Sequence, residues 1–257
     1  LINARTILGL HYMQLNYHVE SKEAVAPIID LAIAGGDKKR ISQIYIILGT
    51  YNYLVEEDFP QALNYLKDAL MISEELNDVV CESLSAYWLG FGLAFNCDYE
   101  NALYHLEKAL HFHESANIQW AESMVKTTMG YFVYFFQGKF DLVYRMNDEA
   151  LRITEKSGDL YSKSMAYSAV GLSCYCKGLF EEATQHYIKG AELCEMINHF
   201  YSNALTHFNL GETFYKLEEY QKSKEHYGRA IHLLEQNKSF PFWVKLFKVG
   251  EARAKVK

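Results

Sequence analysis

The chain has only three prolines in 257 residues. That scarcity excludes a proline-rich linker and leaves room for long uninterrupted helices. Pro60 and Pro241 stand where the first turn of a helix accepts the ring. The cysteines, Cys81, Cys97, Cys174, Cys176 and Cys194, form no C-x-x-C pair, and their odd count argues against a disulfide framework. A reducing, cytoplasmic setting is therefore the expectation. No apolar run approaches the roughly 18 residues that cross a bilayer, and the first residues lack a secretory pattern, so no membrane role is expected. Positive charge is not in excess either. Lys and Arg number 25 against 32 Asp and Glu, a net charge of −7 that disfavours nucleic acid as the main partner. The exception is the tail, where residues 238–257 carry six basic side chains against Glu251, or +5, leaving −12 on the remainder.

What the chain does have is apolar and aromatic matter in register. Half of its residues are hydrophobic and 15% aromatic, 20 of them Tyr. Residues 86–117, AYWLGFGLAFNCDYENALYHLEKALHFHESAN, carry an apolar stripe around Leu89-Gly90 and a polar break at Asn96-Cys97-Asp98. A second stripe then runs through Tyr99, Ala102, Leu106, Ala109 and Leu110, the spacing of one helix face. The pattern recurs. Glycine falls at Gly9, Gly49, Gly90, Gly130, Gly171 and Gly211, in steps of 40, 41, 40, 41 and 40. The aromatic that opens each second helix falls at Phe59, Tyr99, Phe140, Phe180 and Tyr220, and ten residues later come Ala69, Ala109, Ala150, Gly190 and Ala230. Two helices joined by a tight turn cannot bury their stripes alone; copies on either side can.

These markers resemble the tetratricopeptide repeat, an aromatic-x2-Leu-Gly-x2-aromatic helix followed by Ala-x3-aromatic. The first half stands here as Tyr45-x2-Leu48-Gly49, Tyr167-x2-Val170-Gly171 and His207-x2-Leu210-Gly211-x2-Phe214. The second half stands as Ala62-x3-Leu66, Ala102-x3-Leu106, Ala183-x3-Tyr187 and Ser223-x3-Tyr227. Small residues let helix backbones approach, and the large residue opposite fills the space. Where the repeat usually closes with Pro, this chain has Glu74, Glu114, Glu155, Glu195 and Glu235. Glu continues a helix, so each second helix is expected to run on to Asn77, Asn117, Gly158 or Asn198, residues that tolerate the left-handed closing conformation. That extension accounts for much of the excess over the usual 34-residue period.

The expected fold is all-α: a right-handed α-solenoid of about six tetratricopeptide-like hairpins and a C-terminal helix, read as one domain over 1–257. The repeats fall at about 1–37, 38–78, 79–118, 119–159, 160–199 and 200–238, with the last helix at 240–257. The first pair is expected to be the weakest, because Gly35-Gly36 closes it early and Pro27 disturbs its second helix. Asn147 takes a core slot that is apolar elsewhere, so looseness is expected there. Without an initiator Met, and with an unpaired last helix carrying a Val249-Gly250 marker, the chain reads as a piece of a longer protein.

Catalytic and metal patterns are thin. His105, His186 and His226 share one slot on the outer helices, about a repeat apart, too far to hold one ion, and read as polar surface. His111-x-His113-Glu114 lacks the H-E-x-x-H spacing, Cys174-x-Cys176 points two thiols to different sides of a helix, and Gly35-Gly36-Asp37-Lys38 lacks the phosphate-loop spacing and reads as a helix cap. No metal, cofactor or catalytic residue is expected, and no enzyme.

The inner surface remains. In repeats of this kind the first helices line the groove, and positions counted from the glycine give Tyr53, Tyr87, Phe91, Phe95, Tyr131, Tyr134, Phe135, Tyr175, Phe208 and Tyr215 as the candidate site. The groove reads as aromatic and nearly uncharged. It lacks the Lys and Asn with which such domains grip a C-terminal carboxylate, and the Asn with which peptide-pheromone sensors hold peptide backbone. An apolar helix or peptide fits better, with Tyr supplying rigid area and a hydroxyl. Equally, these rings read as packing between neighbouring first helices. The chain is also similar to the tetratricopeptide arrays of large bacterial signalling proteins, which follow an ATPase of the STAND or AAA type, often with a nucleotide cyclase or kinase domain. Glu56-Glu57-Asp58-Phe59-Pro60 and Tyr99-Glu100-Asn101-Ala102-Leu103 carry that likeness. It implies a cytoplasmic docking or sensor arm whose partner is a protein or peptide. The alternative is a receptor for a small ligand or short signalling peptide that regulates a neighbouring ATPase or cyclase domain.

Overall fold

The computed structural model describes residues 1–257, all helix and turn with no strand. The chain divides into two compact units, Leu1–Ser115 and Ala116–Lys257. None of its helices is long and apolar enough to cross a membrane.

The first unit holds α1 (Ile2–Gln14), α2 (His18–Val25), α3 (Ile29–Ala34), α4 (Lys38–Tyr51), α5 (Phe59–Glu75), α6 (Val79–Phe95) and α7 (Tyr99–Ser115). Consecutive helices pack as hairpins, α4 on α5 and α6 on α7, and α4 also packs on α1 and α6. As the sequence predicts, the second helix of the first hairpin is broken: a 3-10 turn at Ala26–Ile28, with Pro27 inside it, separates α2 from α3. Helix starts are fixed by Asp37, Asp58 and Asp78, whose carboxylates accept the backbone N–H three residues on, satisfying one of the four donors a helix leaves open.

The second unit holds α8 (Gln119–Thr128), α9 (Phe140–Ser157), α10 (Leu160–Cys176), α11 (Phe180–Met196), α12 (Phe200–Lys216), α13 (Tyr220–Gln236) and α14 (Pro241–Lys255). Here α8, α10, α12 and α14 lie side by side, and α9, α11 and α13 pack behind them. The second helices run through Glu114, Glu155 and Glu195. The left-handed residues that follow are Asn117 (φ 53°), Gly158 (72°) and Asn198 (54°), as expected from their tolerance of that conformation.

The repeat glycine has one mechanical role. A Cβ on Gly49 or Gly90 would lie 2.6 and 2.8 Å from the side chains of Leu66 and Leu106; on Gly171 or Gly211 it would lie 2.7 and 2.8 Å from the rings of Tyr187 and Tyr227. Each glycine is thus the hole for the large residue of its own hairpin. In the fourth repeat the same slot holds Asn147, 0% exposed. The looseness expected there is not what the geometry shows on its donor side. Nδ2 donates to the Ala169 carbonyl at 2.7 Å and to Ser173 at 3.1 Å, tying α9 to α10.

The alternation of 40 and 41 residues has a structural cause. From repeat glycine to opening aromatic is ten residues in Gly49–Phe59 and Gly130–Phe140, but nine in Gly90–Tyr99, Gly171–Phe180 and Gly211–Tyr220. Only the two longer segments contain a π-helical turn, Asn52–Glu56 and Met129–Tyr134. The extra residue is absorbed as an i to i+5 hydrogen bond, such as Phe135 N–H to the Gly130 carbonyl at 3.1 Å, in the turn that ends the first helix.

Candidate functional site: an aromatic cavity in the second unit

A cavity of about 300 Å³ opens among α8, α10, α12 and α14. Its walls are Tyr131, Phe135 and Phe136 from the π-turn and the residues after it, Leu172 and Tyr175 from α10, and Phe208, Asn209 and Glu212 from α12; Trp243 and Leu246 come from α14, and Tyr187 rises from α11 behind.

Each position follows from the fold. The opened turn at Met129–Tyr134 advances the helix register by one residue. Counted back from the aromatic that opens the second helix, Phe135 rather than Tyr134 therefore matches Tyr175. Accordingly Phe135 lines the cavity, and Tyr134 is buried. Tyr187 fills the hole at Gly171 and, being longer than Leu66 or Leu106, reaches the cavity lining with its side chain. Trp243 is seated by Phe247, 5.9 Å between ring centres, and Phe247 in turn stacks on Phe208 at 4.5 Å.

Polar groups are few and specifically placed. The Tyr131 hydroxyl lies across the Asn209 amide, 2.9 Å from Oδ1 and 2.7 Å from Nδ2. Glu212 accepts from Arg253 at 2.6 Å and from the Tyr227 hydroxyl, and the Arg253 guanidinium sits 4.2 Å over the Tyr215 ring. The groove is nearly uncharged, as its sequence suggested: one carboxylate stands in it, neutralised by the C-terminal helix. Burial raises the pKa of Tyr131 and pushes Tyr175 up to about 12, with the Glu212 charge adding to the latter. Tyr187 is 0% exposed, its hydroxyl has no hydrogen-bond partner, and burial holds its pKa well above the ordinary value. All three phenols stay protonated at neutral pH.

Of the ten residues singled out from sequence, Tyr131, Phe135, Tyr175 and Phe208 are brought together around this cavity. Tyr134 is buried and is not part of the lining, and Tyr215 packs edge-on to Tyr220 at 5.5 Å as well as under Arg253. The other four belong to the first unit and touch one another. Ring centres are 5.2 Å apart for Tyr53–Phe95, 6.0 Å for Tyr53–Phe91, 5.1 Å for Phe91–Phe95 and 6.2 Å for Tyr87–Phe91. Tyr187, Asn209 and Trp243 were missed. Tyr187 was legible as the residue facing the glycine, and Trp243 stands seven residues before the Val249-Gly250 marker; Asn209 carried no signal.

No protein-family model matches the chain, and no curated protein matches its sequence. Solved structures do match. NprR in complex with its cognate peptide NprX superposes with a TM-score of 0.75 at 15% identity, over 96% of this chain and 71% of that one. A Rap protein complexed with Competence and Sporulation Factor gives 0.67 at 18% identity, over 77% of this chain and 55% of that one. A STAND protein with a tetratricopeptide repeat sensor from Pyrococcus horikoshii gives 0.67 at 17% identity, over 99% of this chain and 38% of that one. This chain thus spans about half the length of the Rap protein and about two fifths of the STAND protein. At these identities the likeness is one of fold: the chain is a tetratricopeptide-type helical array.

Proposed function

We propose that the chain is a non-catalytic binding module that takes a short, largely apolar peptide segment, anchored in the second unit's cavity. The observation that carries this reading is the cavity itself. It is concave, lined by rings from three successive hairpins and the C-terminal helix, and supplied with only a few fixed polar groups, the usual make-up of a ligand site. At about 300 Å³ it takes one or two side chains and not the face of a whole helix, which favours an extended segment over a docked helix. The same fold in NprR and in a Rap protein, each solved with a peptide or factor bound, supports the reading. The STAND protein with its repeat sensor supports a regulatory role, in which this array biases a neighbouring domain of a larger protein. The cavity's size also suits a free small ligand, the second reading.

A random peptide display library selected against the intact chain tests this. Enriched peptides should share a large apolar residue and lose binding to Leu172→Trp or Leu246→Trp, which narrow the cavity from two sides. No enrichment, or enriched peptides that bind both variants as well as the wild type, would overturn the reading.

A further inference from the structure

The peptide reading leaves open which side chain the cavity accepts, and its lining narrows the choice in three ways. Charge comes first. Glu212 is the sole carboxylate in the lining, and no cationic side chain stands there. An anion would meet that carboxylate. A cation would have to share it with Arg253, already 2.6 Å away, and with the Tyr227 hydroxyl. A neutral group meets neither cost.

Shape comes second. Tyr131, Phe135, Phe136, Tyr175, Phe208 and Trp243 supply six rings, and ring-on-ring contact adds attraction beyond burial. The volume is about twice the ~150 Å³ of an engineered core cavity that holds benzene, room for a substituted or bicyclic ring.

The third is Tyr187. A buried hydroxyl without a partner destabilises the fold, and this one belongs to a side chain 0% exposed in the cavity lining. It is shut off from water, so only an occupant that shifts the groups around it can bring it a partner. The hydrogen bond gained then offsets part of that movement. In the second and third repeats the same slot holds Leu66 and Leu106, which fill the glycine hole without a polar atom. The hydroxyl is therefore not required by the packing.

We propose that the cavity anchors the peptide by one neutral aromatic side chain bearing a hydrogen-bonding atom, a phenol or an indole, with the Tyr187 hydroxyl as that atom's partner. The inference rests on the cavity being the peptide site. The test titrates the intact chain and Tyr187→Phe with p-cresol, 3-methylindole, toluene and tetramethylammonium, followed by calorimetry and ligand-observed NMR. Tyr187→Phe keeps the ring in the glycine hole, and its thermal midpoint should equal or exceed that of the wild type. In the wild type p-cresol should bind about ten-fold more tightly than toluene, with 3-methylindole also favoured and tetramethylammonium weakest. In Tyr187→Phe the p-cresol preference should fall to about one, with toluene unchanged. Equal affinities in the wild type, a preference that survives in Tyr187→Phe, or tetramethylammonium binding best would overturn the proposal. If no probe binds while selected peptides still respond to Leu172→Trp, the aromatic anchor falls and the peptide reading stands. If the probes behave as expected while peptides ignore Leu172→Trp, the cavity's preference stands and the peptide reading falls.

Discussion

Tyr131 and Asn209, 78 residues apart in sequence, hold each other across the inner face of the second unit, with the Tyr131 hydroxyl 2.9 Å from Oδ1 and 2.7 Å from Nδ2. The bond joins the fourth repeat to the sixth over the top of α10. Tyr131 stands one residue after the repeat glycine, the position that Leu172 and Glu212 take in the next two repeats, and all three line the cavity.

That bridge should be measurable as coupling. Tyr131→Phe and Asn209→Ala should each destabilise by about 1 kcal/mol, and the double variant by less than the sum, because one hydrogen bond is lost in all three. Urea melts of the four proteins check this. Tyr134→Ala belongs in a separate experiment: its buried ring makes it a core truncation, expected to cost about 3–5 kcal/mol.

The glycine holes predict steric coupling of a different kind. Gly171→Ala places a Cβ 2.7 Å from the Tyr187 ring and should cost about 1–3 kcal/mol. Added to Tyr187→Ala, the same substitution should cost little or become favourable, since the clash is gone and alanine suits a helix better than glycine. Thermal melts in both backgrounds measure the difference.

Three buried imidazoles set an acid limit. Burial lowers the pKa of His18 and of His207 to about 3 and that of His199 to about 4, and the Arg229 charge adds to the shift of His207. Between pH 6.5 and those values the unfolded chain binds protons that the folded chain does not. Their contribution is therefore fully present above about pH 6.5 and falls as pH drops towards 3. At pH 5 each should cost about 2 kcal/mol relative to pH 7.5. Urea melts at the two pH values should show that loss, and His207→Phe should reduce it.

The repeat was legible because three markers, the glycine, the opening aromatic and the small residue ten positions later, each keep register across the chain. Packing explains all three: the glycine receives a large residue, the opening aromatic meets a ring of the first helix, 5.5 Å between centres for both Tyr175–Phe180 and Tyr215–Tyr220, and Ala69, Ala109, Ala150 and Ala230 are 0% exposed. The cavity was harder to read. Counting groove positions from the glycine is sound until the inserted residue of the fourth repeat, beyond which Phe135 takes the place that counting gave to Tyr134. The 41-residue steps held that information. Tyr187 was read only as a filler of the glycine hole, because a single sequence does not say how far a tyrosine reaches past it. Arg253 neutralising Glu212 is a contact between α14 and α12, 41 residues apart, and no local pattern announces it.

Binding at the second unit's cavity has a direct spectroscopic readout. The most direct measurement labels the three tryptophans, Trp88, Trp120 and Trp243, with 5-fluorotryptophan and titrates in a display-selected peptide while ¹⁹F spectra are recorded. The account predicts that the Trp243 resonance, assigned through Trp243→Phe, shifts with saturation while Trp88 and Trp120 stay in place. Saturable binding that moves Trp88 and leaves Trp243 untouched would contradict it.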